Sequence, residues 1–281
     1  MSQATAGAAR TMTQTEVLVS PEWLASRLDD PGIQVVEVDV NAKNFAVGHI
    51  RGALLWNVYR DFRNADYSLV EESAIVDLFR RSGLTPDTTV VFYGYAPALA
   101  FWMMKLYRHA DVLILDGSRD DWQDAGLPWT TDAAVPEASE YRMPAIDASI
   151  RATGDEVAAL LDDPGTRILD MRTPPEFDGA QFWPSGGMEP GGRAGHIPGA
   201  TNVSLDGVFD EAGRYRDREA LAMVFALEGA EPTRMITYCT VGGRGSTAWF
   251  VLTYLLGRSG VKVHDGGWAE WGKDPARPVA A

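Results

Sequence analysis

The stretch ITYCTVGGRGSTAWFVLTYLLG, Ile236 to Gly257, decides how the whole chain is read. It opens on a short apolar run and reaches Cys239, the only cysteine. A loop with two glycines follows, then Arg244, then an almost wholly apolar run closed by Gly257. Buried strand, tight loop and buried helix is the reading, with Gly257 as the helix stop. In that geometry the loop N–H groups converge and the helix N-terminus lies beneath them, a concavity suited to anions. A thiolate is stabilised there, as a nucleophilic cysteine requires. An inert core cysteine has no use for a glycine-rich loop.

Working outward, the 281 residues suffice for one large or two ordinary domains. Hydrophobic residues at 46% and charged residues at 23% are globular values. A formal net charge of −14 argues against non-specific binding to nucleic acid or to an anionic membrane surface. One cysteine excludes an internal disulfide and fits a reducing compartment. No apolar run is long enough to span a bilayer. Residues 1–15 lack the apolar core of a secretory signal and read as a disordered tail, which makes the cytoplasm the expected location. Four histidines and one cysteine show no pair at ligand spacing, so neither a metal nor a cofactor is expected.

Upstream, strands alternate with helices. Ser20 caps a helix over Val19–Asp30, Ile33–Val40 alternates as a strand, and GHIRGA at Gly48–Ala53 reads as a turn. Helices are expected at Glu71–Arg81 and Ala96–His109, and strands at Thr89–Tyr93 and Asp111–Leu115. DGSRDDW closes the unit at Trp122. Such alternation implies a mostly parallel sheet flanked by helices, an α/β fold. Residues 131–148 break the rhythm and read as a linker between domains at 16–130 and 149–281.

The rhythm then restarts with the same landmarks. Thr153 answers Ser20 at an offset of 133, and Asp170 answers Asp39 at 131. GHIPGA answers GHIRGA at 147, Tyr238 answers Tyr93 at 145, and Trp271 answers Trp122 at 149. The jump between the second and third offsets places a Gly/Pro-rich insertion at 173–194. Five matches in order mean an internal duplication. Gly94 stands where the second copy has Cys239, so only one copy is chemically equipped.

These landmarks together resemble the tandem-domain rhodanese sulfurtransferases. The resemblance rests on LDMR (Leu169–Arg172), GHIPGA, CTVGGR (Cys239–Arg244) and DGGWAEW, and covers the chain from about Glu16 to Trp271. In that family the first copy has usually lost its cysteine, as here. The resemblance implies that Cys239 takes the outer sulfur of a small-molecule donor such as thiosulfate, forming a persulfide that a thiophilic acceptor discharges. It implies that the amides of Thr240, Val241, Gly242, Gly243 and Arg244 cradle the sulfur, and that the Arg244 guanidinium attracts the donor. A protein sulfur acceptor is a further implied partner. Cys239 to Arg244 is six residues inclusive, as in the sulfurtransferases. Phosphatases of this fold need one residue more, and their arginine would fall on Gly245. Asp170 and Arg172 resemble the family's strand-end pair: a structural ion pair is the favoured role, and Arg172 is also carried as a candidate substrate contact. Four residues beyond it, where many relatives carry a substrate-binding arginine, stands Glu176, and Arg193 in the insertion is a possible substitute. His49 and His196 occupy matching turns and are expected to be structural. Trp268 is a packing residue or a wall of the pocket. Arg244 favours thiosulfate over 3-mercaptopyruvate as donor. A persulfide carrier serving a partner protein is the reading from a different class. The insertion is expected to rim the site.

Overall fold

The computed structural model describes residues 17–226 and 232–280; the expected tail at 1–15 lies outside them. Two parallel sheets form the frame. The first comprises β1 (Leu18–Val19), β2 (Ile33–Asp39), β4 (Leu54–Asn57), β5 (Thr89–Gly94) and β6 (Val112–Leu115), in the order β1-β6-β5-β2-β4. The short β3 (His49–Ile50) pairs antiparallel with β7 (Trp129–Thr130), so the GHIRGA turn also contains a strand. The second sheet comprises β8 (Thr166–Asp170), β9 (Thr201–Asn202), β10 (Arg234–Tyr238) and β11 (Val261–Val263), in the order β11-β10-β8-β9. All pairings within both sheets are parallel.

The central strands read as nearly continuous apolar runs because helices cover both their faces. Val90, Val91 and Phe92 of β5 are wholly buried, as are Ile236 and Tyr238 of β10. Helix starts follow local capping chemistry. The Ser20 hydroxyl accepts from Trp23 N at 3.2 Å, and Thr153 does the same for Glu156 N at 3.2 Å. The helix after Ser20 is short, Pro21–Ala25. The helix after Cys239 runs over Gly243–Phe250, continues as a π-helical turn over Val251–Leu255, and is left at Gly257 with φ +73°.

The duplication extends to hydrogen-bond detail. The Tyr93 hydroxyl accepts from Ile50 N at 3.1 Å, and the Tyr238 hydroxyl accepts from Ile197 N at 3.2 Å. His49 stacks on Phe45 and His196 on Phe177, and each Nδ1 meets the main-chain carbonyl of the ring it stacks on. Strand register corrects one match. Tyr93 faces Glu37 and Tyr238 faces Asp170, so the counterpart of Asp170 is Glu37 and not Asp39. The corrected offset is 133, the value already found for the capping residues.

Residues 131–147 run without regular secondary structure. They are nevertheless pinned, with the buried Tyr141 hydroxyl 2.6 Å from His109 Nδ1. One apolar cluster unites both sheets. At its centre Phe101, from the helix Pro97–Leu106, packs edge-on against Phe250 and Tyr254, with centroids 4.9 and 5.0 Å apart. A contiguous apolar seam of this kind holds the two halves as one body.

Candidate active site

Parallel α/β sheets bind ligands beyond the carboxyl ends of their strands. Here β5 and β10 both end on one cavity of about 440 Å³ between the two sheets. Its floor is Cys239, which is 2% exposed, with Thr240, Val241, Gly243 and Arg244. The opposite wall includes Gly94, Tyr95, Ala96 and Pro97, the first copy's counterpart of that loop.

Three consecutive carbonyls of the cysteine loop are tied away from the cavity. Cys239 O accepts from Trp268 N at 2.8 Å, and Thr240 O from Ala269 N at 2.9 Å. Val241 O accepts from Arg63 Nη2 at 2.9 Å. In a planar trans peptide the N–H points opposite to the carbonyl of the same unit. The N–H groups of Thr240, Val241 and Gly242 are therefore turned to the other side of the loop. Gly242 O joins the helix by accepting from Ser246 N at 2.8 Å. The result is a nest of main-chain donors at a helix N-terminus. Gly242 itself has φ +90°, and a Cβ there would meet Arg63 Nη2 at 2.7 Å. Gly267 has a positive φ and its missing Cβ makes room for the carbonyls of Cys239 and Thr240, so the DGGW turn backs the cysteine loop.

Arg63 is the residue that sequence reasoning missed. It belongs to the first domain, yet its buried guanidinium also bonds Asp265 Oδ2 at 3.2 Å. Arg151 Nε holds the other oxygen of Asp265 at 2.7 Å. Burial alone would raise the Asp265 pKa, but Arg63 and Arg151 together lower it. Arg63 is delivered by a helix over Val58–Phe62 whose cap, Asn57, accepts from Tyr59 N and Arg60 N. It also begins a small hairpin, bridged from Arg63 to Leu69. The second domain repeats that hairpin with a bridge from Phe209 to Tyr215, and this copy lies against the first domain, with Tyr215 N donating to Asp116 at 2.8 Å. Each half thus reaches into the other. The two bridges are related by an offset of 146, a correspondence that the strand pairing reveals and the unlike residues Arg63 and Phe209 do not.

Arg244 does not stand free. Its Nη1 and Nη2 each donate to Glu176 at 2.8 Å, and Nη2 also reaches the Thr240 hydroxyl at 3.0 Å. Thr240 Oγ1 and Thr173 Oγ1 each donate to Glu176 at 2.8 Å. Burial pushes the Glu176 carboxyl upward, but Arg244 and Thr173 outweigh it and hold it at about 2. Burial likewise works against the Arg244 charge, while Glu176 and the Cys239 sulfur raise its pKa.

Arg172, expected among the substrate contacts, does not reach the cavity. It is wholly buried and bonds Asp170 through Nε and Nη2, and the carbonyls of Glu176 and Gly195. Its guanidinium lies 4.6 Å from the ring centroid of Trp268, which is a packing residue. The reason is local: β8 ends at Asp170, so Arg172 turns back beneath its own strand. Arg193 is also committed, donating to the carbonyls of Trp271, Gly272, Asp274 and Arg277, and cannot stand in for the missing cation. The insertion does rim the cavity, through Trp183 and Pro184.

The rhodanese-like domain profile matches this chain twice, at residues 20–125 and 153–274. The sulfur carrier protein TtuD of Thermus thermophilus is 36% identical over 275 residues, covering 94% of this chain and 96% of that one. A Mycobacterium bovis protein named "Putative thiosulfate sulfurtransferase SseA" is 37% identical over 277 residues, covering 95% and 91%. Among solved structures, wild-type EanB superposes with a TM-score of 0.83 at 23% identity, over 95% of this chain and 70% of that one, a likeness of fold. Among the described residues no helix is long and apolar enough to cross a membrane. A duplicated parallel fold, one armed cysteine loop and these relatives agree, and the chain belongs to the tandem-domain rhodanese family of sulfurtransferases.

Proposed function

We propose that the protein transfers a sulfane sulfur from thiosulfate, through a persulfide on Cys239, to a thiophilic acceptor. The carbonyl-outward loop around Cys239 is the observation that carries this reading. The Cys239 thiolate attacks the outer sulfur of thiosulfate. The S–S bond of the donor breaks and its electron pair leaves with sulfite. The persulfide is then stabilised by the amides of Thr240, Val241, Gly242, Gly243 and Arg244, which need no reorganisation during the step. The acceptor attacks the outer sulfur, and the electron pair of that bond returns to Cys239 Sγ. Two covalent half-reactions predict ping-pong kinetics.

Arg244 supports the anionic donor, while Glu176 reduces its pull. That pairing favours a second reading, in which 3-mercaptopyruvate is the donor and pyruvate leaves. A third, the persulfide carrier for a partner protein, is supported by the resemblance to TtuD. Steady-state kcat/KM for the two small donors, with Cys239→Ser as blank, separates them. Thiosulfate is expected to win with parallel double-reciprocal lines. Preference for mercaptopyruvate assigns the second reading, and turnover only with a protein acceptor assigns the third. A free Cys239 thiol suits a reducing compartment, and a cytoplasmic setting is proposed.

A further inference from the structure

The cavity above Cys239 is far larger than a thiosulfate dianion or a cyanide ion needs. At about 440 Å³ it falls within the roughly 300–1,000 Å³ of sites that hold small organic molecules. Among the described residues that line it one side chain is charged, Arg244, and that charge is already matched by Glu176. The rest of the wall is largely apolar or aromatic. Tyr59, Tyr95 and Phe209 are 39%, 67% and 40% exposed at the same cavity, although folding favours covering such rings. Trp183 adds a fourth ring from the insertion that the first copy lacks. It is held in place by its Nε1–H to Glu189 at 3.0 Å and by Tyr67 packed against it at 5.3 Å between centroids. Lys273 anchors Glu189 in turn at 2.7 Å. A ring positioned by a built support at the mouth of a reactive site has a recognition task and not only a packing one.

We propose that the sulfur acceptor is an uncharged organic thiol with an apolar or aromatic body, seated between Trp183 and Tyr95 with its sulfur directed at Cys239. The proposal rests on the persulfide reading above. A charged thiol such as glutathione would leave its carboxylates and ammonium without partners against this wall, which costs binding. In the transfer, the acceptor sulfur attacks the outer sulfur of the Cys239 persulfide. A bond forms between those two sulfurs, and the bond to Cys239 Sγ breaks with its electron pair left on Sγ. The thiol proton passes to the departing outer sulfur, so a neutral organic hydrodisulfide leaves and the Cys239 thiolate is restored.

The test uses the full chain with Cys239 loaded as persulfide by thiosulfate, or by inorganic polysulfide, and freed of excess donor. Discharge is timed with benzyl mercaptan, 2-mercaptoethanol and glutathione, each rate expressed per thiolate because nucleophilicity follows thiol pKa. Benzyl mercaptan is expected to react at least about tenfold faster than either, the scale of discrimination an apolar pocket supplies. Tyr95→Ser and Trp183→Ala are each expected to pull that ratio towards unity. Tyr95 is well exposed, so its variant reports even where Trp183→Ala fails to fold. Equal rates, a preference for glutathione, or a ratio unmoved by Tyr95→Ser would overturn the proposal. So would uniformly slow discharge by all three, the behaviour of a site that serves a protein acceptor. A persulfide that forms but shows no selectivity removes only this proposal. Failure to load from either donor removes the persulfide reading as well.

Discussion

Glu176 and Arg244 face each other in a forked pair, two hydrogen bonds of 2.8 Å, with the Glu176 side chain wholly buried and the Arg244 side chain a quarter exposed. The family resemblance leads one to expect a cation at position 176. The structure puts an anion there and spends the loop arginine on it. On the proposed reading with thiosulfate as donor, binding falls largely to main-chain donors. Glu176→Gln is expected to free the Arg244 charge and lower KM for thiosulfate about tenfold, the equivalent of one charge-assisted hydrogen bond. Initial rates over a range of thiosulfate concentrations check this, and an unchanged or raised KM would contradict it.

The same pair sets a pH dependence. The folded carboxyl titrates at about 2, below the roughly 4.3 of a free glutamate, so its contribution to stability is fully present above the unfolded value. It is lost as pH falls from there through about 2. Glu176→Gln should therefore melt below the wild type at neutral pH, with the gap closing on acidification through that window. A gap that stays constant down to the lowest pH at which both fold would refute the assignment.

Arg63 carries the link between the halves. Its side chain and that of Asp265 are both buried, and it holds the Val241 carbonyl. Arg63→Met should cost about 3–5 kcal/mol in denaturant unfolding, the cost of stranding one partner of a buried pair. It should also lower kcat about a hundredfold by releasing the Gly242 N–H, on the scale of losing one oxyanion-hole donor. Arg63→Lys keeps the charge and should recover part of kcat. Loss of stability without loss of kcat would make Arg63 purely structural.

Arg172→Met separates scaffold from site. Its partners are Asp170 and main-chain carbonyls, out of reach of the cavity. A loss of about 3–5 kcal/mol in stability is expected, with KM for thiosulfate unchanged in whatever folds. A rise in KM at unchanged stability would restore it to the substrate contacts.

Local chemistry was legible in the sequence, and long-range pairing was not. The cysteine loop, its glycines and its helix follow from a few adjacent residues, and the duplication from offsets. Arg63 was not legible, because its partners lie 178 and 202 residues away. Glu176 was visible as a departure, but its meaning depended on Arg244, 68 residues on. For Arg172 the ion pair with Asp170 was legible from the strand-end motif, while its distance from the cavity depends on the turn after β8. The match of Asp39 to Asp170 failed by two residues because strand period preserves the face of a residue under such a slip, and only pairing with Tyr93 and Tyr238 sets the register.

The intact mass of the full chain after exposure to thiosulfate tests the central claim most directly. A gain of one sulfur, mapped to Cys239 and removed by cyanide with release of thiocyanate, is the expected result. No gain, or a gain that persists in Cys239→Ser, would contradict it.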